Sequence, residues 1–206
     1  MSARVLSTRA KIVASAALLA AAAGAAGLGT FGSFTSTTSA SESVSTGNVT
    51  IALGAAGTAA NRLTVAATGV VPGDTIARGV VLSNTGDQAL SAITLTTTAT
   101  TSSVLDTDTT NGLQVKIEKC STAWNEGGTA PAYTYTCGGT KTTVLAQQPV
   151  VGANLALNGL SALTNGQSDN LVVTLSLPGA ADNTFQGKTS VINFAFTGTQ
   201  RAGTNK

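Results

Sequence analysis

The stretch Leu171-Val172-Val173-Thr174-Leu175-Ser176-Leu177 sets Leu171, Val173, Leu175 and Leu177 two residues apart, with Thr174 and Ser176 between them. Successive side chains of a strand point to opposite sides of its sheet, so a strand with one buried face repeats every two residues. The same period runs through Ile192, Phe194 and Phe196, and through Leu113, Val115 and Ile117. From Asn48 onward no stretch carries a convincing helical period, so that part of the chain is read as strands.

Outward from these three runs, short β-branched segments alternate with turn formers. The predicted strands are Asn48–Leu53, Arg62–Thr68, Ile76–Ser83, Ala92–Thr100, Leu113–Cys120, Ala132–Cys137, Thr142–Ala146, Asn154–Leu157, Leu171–Leu177 and Thr189–Thr197. Between them lie Pro72-Gly73-Asp74, Asn84-Thr85-Gly86, Asn111-Gly112, Asn165-Gly166 and Pro178-Gly179, each able to turn the backbone. The pattern predicts an all-β fold, an antiparallel sandwich of jelly-roll type in a single domain over residues 47–206.

Cys120 and Cys137 are the only cysteines. No His accompanies them for zinc, so the pair is expected to be a disulfide, worth about 3 kcal/mol on the chain-entropy view. They would clasp the base of a hairpin between Val115–Cys120 and Tyr133–Cys137, with Ser121 to Pro131 as a long loop. Trp124 in that loop is read as packed back on the sheet, with a ligand contact as the other reading.

The N-terminus reads differently. Arg4, Arg9 and Lys11 precede an apolar run from Ile12 to Leu28 rich in Ala and Gly, the order of a helical secretory signal peptide, residues 1–32. A transmembrane helix is the rival reading; Ala and Gly make a weak anchor and the next basic residue is Arg62. Residues 33–46 follow as a Ser/Thr-rich arm whose sizeable apolar residues are Phe34 and Val44, too polar to form a core alone. Without the signal segment, eight basic residues face nine acidic ones, a net charge of −1. That balance gives no reason to expect nucleic acid as a partner.

Catalytic chemistry finds little to build on. With no His in the chain, HExxH and Ser-His-Asp arrangements are impossible, and no phosphate-binding loop occurs. Carboxylate pairs stay open because nine acids exist and pairing is spatial, although most of those acids lie in predicted turns. Asp106-Thr107-Asp108-Thr109-Thr110-Asn111-Gly112 faintly resembles a calcium loop, but the flanking helices and distal bidentate acid are missing and a solvated turn is favoured. Asn48-Val49-Thr50 matches a glycosylation sequon on a predicted strand. No cofactor and no catalytic or metal residue is assigned.

Four stretches, in order, resemble the TasA and camelysin group of exported proteins. They are Gly29-Thr30-Phe31-Gly32-Ser33-Phe34-Thr35 at the end of the apolar run, and Ser45-Thr46-Gly47-Asn48-Val49-Thr50-Ile51 at the first strand. Pro72-Gly73-Asp74 with Val80-Val81-Leu82-Ser83-Asn84-Thr85-Gly86 is similar to the group's PGD…NxG hairpin. Phe185-Gln186-Gly187-Lys188 with Ile192–Gln200 is similar to its closing strand. The resemblance implies cleavage between Gly32 and Ser33 by a SipW-type signal peptidase. It further implies a jelly-roll subunit of a biofilm-matrix fibre whose partners are copies of itself and an accessory fibre-nucleating protein. Phe34, Thr35 and Val44 would belong to an arm donated to the next subunit. This chain is poorer in Lys and Glu than the better-known fibre former, and its cysteine pair departs from that protein. The camelysin-type metallopeptidase label is rejected for a chain without His. A monomeric surface adhesin or carbohydrate-binding sandwich is the alternative function.

Overall fold

The computed structural model describes residues 48–63 and 69–204. The described residues fall in one compact unit. Its strands are β1 (Ile51–Leu53), β2 (Thr75–Asn84), β3 (Leu90–Thr101), β4 (Gln114–Cys120), β5 (Trp124–Thr129), β6 (Ala132–Cys137), β7 (Lys141–Pro149), β8 (Gly152–Ala156), β9 (Ser168–Ser176) and β10 (Val191–Gln200). A single four-residue helix, α1 (Val104–Thr107), and two 3-10 turns complete the described residues.

One sheet has the order β1-β2-β9-β4-β7 and the other β10-β3-β8, and every pairing is antiparallel. The chain changes sheet from β2 to β3, β3 to β4, β7 to β8, β8 to β9 and β9 to β10. That crossing pattern is what makes a sandwich of jelly-roll type rather than a meander.

The period-two runs build the core. Val80 lies opposite Leu171, and Val173 lies between Arg78 and Ile117. Val80, Leu82, Val115, Ile117, Leu171 and Val173 face Ile93 and Leu95 of the second sheet, and each is at most 1% exposed. At about 25 cal/mol per Å² of apolar surface removed from water, this row is the main stabilising contribution.

Several expectations are corrected. The hairpin between Val115–Cys120 and Tyr133–Cys137 does not form, because β4 is a central strand with β9 on one side and β7 on the other. Trp124–Thr129, read from sequence as part of a loop, is a strand paired with β6. Asn125-Glu126-Gly127-Gly128 lacks the β-branched enrichment that marks strands, so its pairing comes from the turn at Ala130-Pro131 and from what its side chains touch. The PGD…NxG segment is likewise no hairpin, since β2 and β3 lie in different sheets. Gly73 there adopts φ +93°, and Asp74 accepts from the Val71 N–H at 2.9 Å, while Gly73 and Asp74 bond Leu177 to start β2. Arg62 and Leu63 are not in a strand, and 64–68 lie outside the described residues.

Candidate assembly cleft

Among the described residues β10 lies at the edge of its sheet, with β3 as its only strand neighbour. Its inward residues Ile192, Phe194 and Phe196 are only half-buried, unlike the sealed rows of β4 and β9. The reason is geometric. On the facing sheet, β1 pairs only with Leu82, Ser83 and Asn84 at the far end of β2, so the near half of β2 and the near half of β10 stand apart. Between them is a cleft of about 740 Å³, floored by Ile76, Val173, Leu175, Ile192 and Phe194 and closed below by Leu113 and Phe185. An edge strand turns alternate N–H and C=O groups away from its single neighbour, so β10 borders this cleft with backbone able to pair.

Arg78 interrupts the apolar row Ile76, Val80, Leu82 at a position opposite Val173, yet is only 5% exposed. Its Nη1 donates to the Ala77 carbonyl at 2.8 Å, and its guanidinium lies 5.6 Å from the Tyr133 ring centre. Burial pulls its pKa below the usual arginine value, opposed by Tyr135 and Tyr133. The arginine thereby joins the cleft wall to the opposite surface of the sheet, where the β5–β6 hairpin lies.

That hairpin is a lid. Cys120 at the end of β4 is bonded to Cys137 at the end of β6, confirming the expected disulfide while moving what it clasps: it staples the hairpin to the sheet. Trp124 packs back as expected, its Nε1 donating to the Asn170 carbonyl at 2.9 Å. Glu126 accepts from Arg62 Nε at 3.0 Å, from Arg62 Nη2 at 2.6 Å and from the Tyr135 hydroxyl at 2.9 Å. The Arg62 hydrogen bond holds the Glu126 carboxyl below its ordinary value, against burial, with Tyr135 adding to the effect. Arg62 also stacks on Tyr133 at 4.6 Å. Gly79 lets the Tyr135 ring lie close on β2, because a Cβ there would sit 2.9 Å from Tyr135 Cε1 and force the ring to shift.

The calcium-like loop has another use. Burial pushes Asp106 up, but hydrogen bonds from Ser190, Ser102 and the Ser103 N–H more than offset it and lower its pKa overall. Ser102 and Ser103 approach at 2.7 Å. Asp106 caps α1 and ties it to the start of β10 beside the cleft, so it is no solvated turn residue; it is 8% exposed. Asp108 accepts from the N–H groups of Thr110 and Asn111 at 2.9 and 2.8 Å. Both carboxylates are thus committed to local donors.

The chain enters this unit at the other end. Asn48 N–H donates to Asp87 at 2.6 Å, and the Asp87 N–H returns to the Asn48 carbonyl at 3.0 Å. Gly86 is fixed there, since a Cβ would fall 2.4 Å from the Asn48 oxygen. Ile51 lies opposite Asn84, and the cleft runs from Leu53, opposite Leu82, to Ile76, six residues back along β2 and roughly 20 Å at about 3.3 Å per residue.

Of the residues singled out from sequence, Cys120 and Cys137 come together as described. Gly32, Ser33, Phe34, Thr35 and Val44 lie outside the described residues. The cleft itself was missed, although Arg78 within an apolar alternation was its one visible signal. Among the described residues no three His, Cys, Asp or Glu side chains converge to hold a metal ion, and no helix is long and apolar enough to cross a membrane. No curated protein matches the chain. The model of the camelysin metallo-endopeptidase family does match, over residues 8–205, and with the four ordered motifs inside that span the chain belongs to this family.

Proposed function

We propose that this protein is an exported structural subunit that assembles into extracellular or cell-surface fibres of a biofilm matrix. Residues 1–32 are removed between Gly32 and Ser33 by a SipW-type signal peptidase, and residues 33–46 are the arm donated to the next copy. The observation that carries the reading is the separation of two ends. The chain enters the sandwich at Asn48, beside the β2–β3 turn, while the half-open apolar cleft runs from Leu53 at the end of β1 toward the starting halves of β2 and β10. An extended arm leaving one end and a cleft with an unpaired strand edge at the other make a heterologous contact, which does not close on itself and gives filaments. Seating Phe34 in the cleft would contribute about 2 kcal/mol, and strand pairing along β10 would add direction.

The family's name implies a peptidase metal, and the donor set here does not fit one. Catalytic zinc takes three protein ligands, commonly with His among them. This chain has no His, and both cysteines are in the disulfide. A structural role needs none of these groups. The adhesin reading draws no support from Trp124, whose indole N–H is spent on Asn170.

Negative-stain microscopy of the chain beginning at Ser33, beside one beginning at Gly47, tests the proposal. Filaments from the first and monomers from the second are expected. Monomers from both, across salt and concentration, would overturn it.

A further inference from the structure

Resting on that arm-donation reading, we infer that Glu42 fixes the register of the donated arm by pairing with Lys188 at the rim of the receiving cleft. The first observation is a pattern inside the arm. Its even positions carry Phe34, Ser36, Thr38, Ala40, Glu42 and Val44, whereas the odd positions from Ser33 to Ser45 are Ser or Thr without exception. In an extended strand one face therefore holds every apolar side chain and the arm's only charge, and the other face is uniformly hydroxylated. A face-down arm turns Glu42 to the same side as Val44 and Phe34.

The second observation is the charge of the cleft. Among the described residues of its lining the charged ones are Arg78 and Lys188, both basic. Lys188 is exposed at the rim just before β10, and none of the described salt bridges uses it. A carboxylate carried into an apolar cleft without a counter-charge is costly, and a cation at the solvated rim offsets part of that cost. A strand slipped by one residue would turn Ser and Thr toward the apolar floor and expose Phe34 and Val44. A slip by two would keep the apolar face inward but carry Glu42 about 7 Å from its cation. The charge thus adds to what the apolar side chains contribute in separating registers that keep the same face inward.

The test is a charge swap in the chain beginning at Ser33, with pelleting of filaments measured against protein concentration. Glu42→Lys and Lys188→Glu should each raise the concentration for half-assembly about fivefold, and the double variant should return it to near the starting value. Both sites lie outside the core, and thermal melting of each variant verifies folding. Single variants that assemble like the parent, or a double variant no better than either single one, would overturn the charge pairing while leaving arm donation intact. Undiminished filaments from the chain beginning at Gly47 would remove arm donation and this inference with it.

Discussion

Glu126 receives donors from two separate parts of the chain, Arg62 ahead of β2 and Tyr135 on β6, and so locks the lid to the segment beside the sheet. Glu126→Gln keeps the shape and loses the charge, and is expected to lower the melting temperature by roughly 2–4 °C, read by circular dichroism. Acid should act on the same group. Glu126 and Asp106 are both held below their ordinary values of 4.5 and 3.8. Their stabilisation is therefore fully present above those values and lost as pH falls through the lowered ones. The melting temperature should be level from pH 7 to about 5 and drop below about 4.5, less steeply in Glu126→Gln. A drop between pH 7 and 6 would contradict this assignment, since the chain has no His to titrate there. None of these partnerships was legible in the sequence, because Arg62 and Glu126 are 64 positions apart and nothing local pairs them.

At the scale of elements, the lid depends on its staple. β5 and β6 pair only with each other, and a two-stranded ribbon is marginal in water by itself. Reducing Cys120–Cys137, or replacing both residues by Ser, should lower stability by about 3 kcal/mol in denaturant unfolding. Tryptophan fluorescence should report the lid's loosening, because Trp124 is the only Trp. An unchanged midpoint would mean that Trp124, Tyr135 and Glu126 suffice. Strands with strict alternation, such as β9 and β10, were legible as runs because burial of one face leaves a period of two. β5 was not, since its pairing rests on a side-chain anchor and a turn. The partnering of β4 was not legible either: strand order is a long-range choice that alternation does not encode.

For the whole molecule, an arm bound in a cleft stabilises the folded state by mass action, as any ligand of the native form does. The chain beginning at Ser33 should melt at rising temperature as its concentration is raised tenfold in scanning calorimetry, whereas the chain beginning at Gly47 should not. A concentration-independent midpoint for both would count against assembly. The sandwich class was readable from composition and period, but the cleft was not, because it arises where β1 stops short of the start of β2. That short β1 sets the ends of the molecule apart, with Asn48 near one and the cleft toward the other. On the proposed reading, a filament of any length then shows one vacant cleft and one spare arm, and every break creates another of each. Shaken or sheared matrix would seed its own regrowth, and a short peptide copying the arm would silence one kind of tip while leaving the other active.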